Sequence, residues 1–236
     1  MEIQRLRNYI KSHRKRAGLS QPDVAFLLGN SDETQVSRYE NDRRLPPLEV
    51  ALALQEIFKV PTVSGLAGEQ VITNTELERH RVLAIDIRPQ RIAYCVFEGT
   101  TLALDWGTKV FRTGAYAAKV PLSVKVARLM SEWQPHAVVM KATKVRRSAQ
   151  KMRVIERQAS MAGVAVHFIT IEAIRHAFPT ERNKYERARV IAASLPELAH
   201  ALPTKPKLWQ CEPYRIGFFD AAAIGLAYFR QLEKSQ

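Results

Sequence analysis

The hydrophobic period of the chain changes once, near residue 80, and that change limits the fold more than any other feature. Before it, Leu6, Ile10, Val24, Leu27 and Leu28 recur at helical spacing. Gly18 ends a first segment and Ser20 is a good N-cap for the next. Residues 29–32 form a turn cluster, with Ser31 or Asp32 placed to cap a third helix through about Tyr39. Leu45, Pro46 and Pro47 break the chain before an apolar helix over 48–58. After residue 80 the apolar runs are short and strand-like. Runs 81–87, 91–97 and 102–111 are joined by tight turns and predict an antiparallel meander. Strands at 136–140 and 164–169 alternate with helices at 121–133 and 148–161, and helices over 171–178, 181–195 and 218–232 complete the chain. Two strands reached by helical crossovers predict a mixed sheet covered by helices. The expected fold class is therefore a small all-helical domain (1–60), a linker (61–78) and a mixed-sheet α/β domain (79–236).

Charge narrows the function classes. The 236 residues carry a net charge of +13 with 46% hydrophobic residues. That apolar content excludes a disordered basic tail. No uninterrupted apolar run approaches the roughly 18 residues of a membrane span, so no membrane partner is expected. The first residues are charged and lack an apolar core, so no secretory leader is expected. Two cysteines, Cys95 and Cys211, are too few for a disulfide framework and suit a reducing, cytoplasmic setting. A surplus of positive charge points to a polyanion, most often nucleic acid. Residues 1–60 hold 10 basic and 8 acidic side chains, a net +2, so the remaining +11 lies in 61–236. The densest block, 141–157, has seven basic residues and one acid, Glu156.

Within the helical part, Leu19-Ser20-Gln21, Val24-Ala25, Leu27-Leu28-Gly29 and Gln35-Val36-Ser37-Arg38-Tyr39-Glu40 follow one another at spacings that resemble Cro/cI-type (XRE family) helix-turn-helix domains. Asn41-Asp42, Arg44, Pro46, Leu48-Glu49 and Ala51 continue the pattern, and the turn at 29–34 is one residue longer than usual. A helix entering the major groove must offer polar side chains to base edges. Thr34, Gln35, Ser37 and Arg38 would be exposed for that purpose, with Val36 anchored inward. The resemblance implies that Gln21 and Asn41 bond phosphates, which position the protein while base contacts specify sequence.

Beyond residue 80, three motifs in order resemble the RNase H-like superfamily, in particular RuvC-like Holliday-junction resolvases. Leu83-Ala84-Ile85-Asp86 ends a first strand in a carboxylate. Residues 133–141 match the strand whose end carries a Glu, and 219–227 match a last helix that begins with an Asp, here Asp220. In that family several carboxylates converge on two Mg²⁺ ions that activate water for phosphodiester hydrolysis. The resemblance implies that Asp86 and Asp220 are the catalytic and metal-binding remnants. Lys141 stands at the expected Glu and Gly217 at a further expected Asp. An ammonium about 4 Å from a dication costs roughly 8 kcal/mol at an effective dielectric of about 20. Lys141 can instead neutralise the acidic pair.

These features describe a DNA-binding protein, a regulator or accessory factor. The resemblances imply a helix-turn-helix domain that would read duplex DNA and a catalytically degenerate RNase H-like domain that would hold nucleic acid. Lys144, Arg146 and Arg147 are candidate backbone contacts at the mouth of the old site. No cofactor is expected on this reading. The alternative is an Mg²⁺-dependent endonuclease acting on branched DNA, with Glu98, Asp105, Glu156 or Glu212 replacing the missing acid. A second alternative gives the large domain a protein-interaction or oligomerisation role, and a homodimer is left open because many such helix-turn-helix domains bind two-fold sites.

Overall fold

The computed structural model describes residues 9–29, 32–41, 43–60, 80–111, 120–143, 145–181, 183–205, 213 and 215–234. The expected linker therefore lies outside the described residues. The chain divides into two compact units, Met1–Asn74 and Thr75–Gln236.

The first unit has four helices: α1 (Ile10–Arg16), α2 (Gln21–Leu27), α3 (Glu33–Glu40) and α4 (Leu48–Phe58). Their starts are chemically specified. Ser20 caps α2 in a reciprocal capping box with Asp23, and the Ser20 bonds hold the Asp23 carboxyl below its usual range. The Asp32 side chain accepts the Thr34 N–H at the start of α3. Gly29, at φ +71°, supplies the left-handed residue that ends α2. Ile10, Val24, Ala25, Val36, Tyr39, Leu54 and Val60 form the core. Beside it Glu40, 6% exposed, accepts from Arg14 Nε (2.5 Å) and Gln21 Nε2 (2.7 Å), tying α1, α2 and α3 together.

The second unit is built on a five-stranded sheet in the order β3-β2-β1-β4-β5. The strands are β1 (Arg81–Ile87), β2 (Arg91–Glu98), β3 (Leu102–Val110), β4 (Ala137–Lys141) and β5 (Ala165–Ile169). β1–β2 and β2–β3 are antiparallel; β1–β4 and β4–β5 are parallel. Helices α5 (Leu122–Trp133) and α6 (Arg146–Met161) make the crossovers. Helices α7 (Ile171–Ala177) and α8 (Lys184–Ser194) follow, then a 3₁₀ turn (Pro196–Ala201) and α9 (Ile216–Lys234). This is a mixed five-stranded sheet with covering helices, as the order of runs predicts. Side chains alternate across β1, so Val82 and Ala84 join the core cluster under α9, while Leu83 and Ile85 point to the opposite face. Both sets are fully buried, as in a central strand covered on two sides.

His167 is exposed on edge strand β5, with its ring 5.0 Å from Tyr228. Trp106 and Trp133 are core residues, and the buried Asp105 accepts from Trp133 Nε1 at 3.2 Å and Tyr94 Oη at 3.0 Å.

Candidate functional site

Period two along β1 places Asp86 on the same face as Val82 and Ala84, beneath α9. Ala137 and Val139 of β4 share that core, so Lys141 projects to the same side. The parallel register pairs Ile85 with Met140, which sets Lys141 beside Asp86 at the carboxyl ends of two parallel strands. On α9, Gly217 and Asp220 lie three residues apart and share a face. The structure thus brings together Asp86, Lys141 and Asp220, the three residues singled out from the motifs.

It also brings in three cations, two of which sequence reasoning missed. Arg88 bridges the acids: Nε donates to Asp86 Oδ2 at 2.8 Å and Nη2 to Asp220 Oδ2 at 2.6 Å. Arg187 of α8 donates through Nη2 to Asp220 Oδ1 at 2.7 Å. Lys184 Nζ lies 3.5 Å from Asp220 Oδ2, and Lys141 Nζ lies 3.6 Å from Asp86 Oδ1. Each of the four carboxylate oxygens faces a cation, and four cations meet two acids. Arg88 carried one readable signal. It stands two residues after Asp86 and so falls on the same face of an extended segment. Nothing local marks Lys184 or Arg187, and Arg187 reaches Asp220 through the packing of α8 on α9.

Gly217 makes room for the bridge. A Cβ there would stand 3.1 Å from Ala93 Cβ and 3.5 Å from Arg88 Nε. A carboxylate side chain at this position would enter the space the guanidinium holds. Lys151 of α6 donates to the carbonyls of Pro89 (2.8 Å) and Arg88 (3.3 Å), with its ammonium over the Phe111 ring. Burial, then the nearby Arg147, lowers its pKa. Lys151 therefore positions the segment that carries Arg88.

The donor set does not fit Mg²⁺, which asks for six hard oxygens in octahedral geometry. Asp86 and Asp220 are the only acids in this cluster among the described residues, and all their oxygens are committed to cations. No group of three or more His, Cys, Asp or Glu side chains suited to a metal occurs among the described residues. Two of the four proposed substitute acids are placed elsewhere. Glu98 pairs with Arg81 at the far end of β1, and Asp105 is held by Tyr94 and Trp133. Glu212 lies outside the described residues.

Arg146 and Arg147 open α6 and are exposed, while Lys144 lies outside the described residues. In the helical unit Thr34 and Arg38 are exposed, Gln35 and Ser37 are half-buried, and Val36 is buried as expected. Gln21 donates to Glu40, Asn41 Nδ2 donates to the Ser37 carbonyl (2.6 Å), and Gln35 Oε1 accepts from Arg44 (3.3 Å). These polar side chains are pre-oriented by internal bonds.

A helix-turn-helix family model matches residues 10–63, the helical unit. No curated protein matches the chain in sequence. Among solved structures, Thermus thermophilus RuvC is 18% identical, covers 65% of this chain and 96% of its own, and superposes with a TM-score of 0.49. The T. thermophilus RuvC complex with a Holliday junction substrate is 19% identical, covering 65% of this chain and 95% of its own, with a TM-score of 0.46. The yeast mitochondrial Holliday junction resolvase Ydc2 is 11% identical, covering 91% and 93%, with a TM-score of 0.46.

Proposed function

We propose that the protein binds duplex DNA through its helix-turn-helix unit and holds nucleic acid, without cutting it, on the RNase H-like domain. The biological role is that of a regulator or accessory factor. The observation that carries the reading is the Arg88 guanidinium bonded to both Asp86 and Asp220. A cation fixed between two carboxylates takes the place and the charge of a bridging metal, and it supplies no activated water. Lys141 and Gly217 support this, one by adding positive charge and the other by leaving space for the bridge. Thr34, Gln35, Ser37 and Arg38 are the base-reading candidates, and Gln21 and Asn41 the phosphate contacts. Arg146 and Arg147 contribute backbone contacts that carry no sequence information.

The test is DNA binding by fluorescence anisotropy across a salt series, on a selected site and on random duplex. Gln35→Ala with Arg38→Ala should lower the preference for the selected site by roughly 1–3 kcal/mol per lost base contact. Arg146→Ala with Arg147→Ala should weaken both DNAs alike and flatten the salt slope by about 2. A salt slope unchanged by the second pair would refute the role of that surface.

A further inference from the structure

Helix α3 and the segment that follows it are tied together by bonds that also fix which atoms they present. Asn41 Nδ2 donates to the Ser37 carbonyl at 2.6 Å, and the Arg43 peptide N–H donates to the Arg38 carbonyl at 2.9 Å, so the chain folds back as it leaves α3. Arg44 follows this turn. Its Nη1 reaches back nine residues and donates to Gln35 Oε1 at 3.3 Å. A guanidinium only donates, so the Gln35 amide is held with its oxygen toward Arg44 and its Nε2 donor turned to other partners. Neither side chain forms another bond among the described residues. Arg44 is exposed and Gln35 half-buried, so both remain open to a ligand.

A glutamine with both amide ends open reads adenine, donating to N7 and accepting from N6. Here the accepting end lies against a cation. Adenine would bring its amino group up to the guanidinium, donor against donor. Thymine offers a single acceptor beside its methyl group and leaves one donor of the pair unmatched. Guanine offers two acceptors, N7 and O6, to two donors. We infer that Gln35 and Arg44 act as one donor-only unit that selects guanine at the base pair facing Gln35, and that Arg44 decides the choice. This rests on the base-reading role proposed for α3 and adds which base it selects. The specificity of the helix is then set from outside it, by a residue beyond its C-terminus. Without Arg44 the Gln35 amide regains its acceptor and reads adenine.

The experiment selects binding sites from a random duplex pool at low salt, using the full chain and its Gln35→Ala, Arg44→Ala, Arg44→Lys and Arg43→Ala variants. Gln35→Ala marks the base pair that Gln35 faces, because preference is lost there and kept at the other pairs. At that pair the unsubstituted chain should prefer guanine to adenine by about 5- to 150-fold in competition binding. Arg44→Ala should select adenine there and keep the preferences elsewhere in the site, which also shows that the variant is folded. Arg44→Lys should keep guanine, because it keeps a cationic donor. Arg43→Ala removes the same charge one residue away and should leave the selected base unchanged. Adenine or thymine selected by the unsubstituted chain, or guanine retained in Arg44→Ala, overturns the inference and leaves base reading by α3 standing. A preferred site with no base pair sensitive to Gln35→Ala also overturns it. No preferred sequence for the unsubstituted chain overturns the base-reading role and this inference together.

Discussion

Two carboxylates drawn together beneath a helix repel each other unless something between them carries positive charge, and Arg88 is that residue. Its two charge-assisted bonds satisfy one oxygen of each acid. Arg88→Met should lower stability by about 2–4 kcal/mol in urea denaturation, because it leaves partly buried acids with only their outer partners. A loss under about 0.5 kcal/mol would show that Lys141, Lys184 and Arg187 suffice. A second residue-scale effect concerns pH. Burial, with smaller contributions from His136 and His167, holds His80 below the usual imidazole range. His80 stacks on His136 and Tyr228, with Phe229 edge-on, and those neighbours leave little room to hydrate a charge. The unfolded chain therefore binds the His80 proton more tightly than the folded one. The stability contribution is complete above about pH 6.5, the unfolded value, and is lost as pH falls through the lower folded value. His80→Gln should flatten the urea midpoint between pH 7 and 5, and an unchanged pH profile would count against it.

At the scale of elements, α9 decides how the acidic pair is presented. Gly225 lies where a Cβ would come within 2.4 Å of Phe97 Cε2, and that ring is buried edge-on against Phe229. Gly225→Ala should cost roughly 1–3 kcal/mol through overpacking. Gly217→Ala meets contacts no closer than 3.1 Å and gains helix propensity, so its net effect should stay within about 1 kcal/mol. Thermal denaturation of the pair checks the order; equal losses would contradict this packing. Most elements were legible because their signals are local. Ser20 and Asp32 announce helix starts, and the buried runs of β1 and β4 announce central strands. Asp86, Lys141 and Asp220 were legible because each falls at a motif position. Arg187 was not, because its role depends on α8 lying against α9, and a helix face shows nothing of which acid it will meet. Lys151 is similar: in sequence it is one of a basic run, and only the fold turns it toward the Arg88 carbonyl.

For the whole molecule, the division of charge matters more than the total. The helical part is nearly neutral and has the groove-reading pattern, while the sheet domain carries the surplus. On the proposed reading, a sequence-selective contact and a salt-sensitive backbone contact would act as one binder, because joining them in a single chain raises the effective concentration of the second. A protease site inserted at the Asn74–Thr75 boundary provides the check. Cleavage should weaken binding to a long duplex by at least about tenfold. Unchanged affinity after cleavage would mean that one unit alone accounts for DNA binding.

Whether the cation-filled acidic pair is inert in hydrolysis separates a DNA-holding domain from a nuclease. The direct measurement is cleavage of four-way junction, flap and duplex DNA by the full chain in Mg²⁺ and in Mn²⁺, compared with Asp86→Asn. The expected result is no Asp86-dependent product with either metal. Strand cleavage that disappears in Asp86→Asn would contradict it and would make the protein a metal-dependent nuclease.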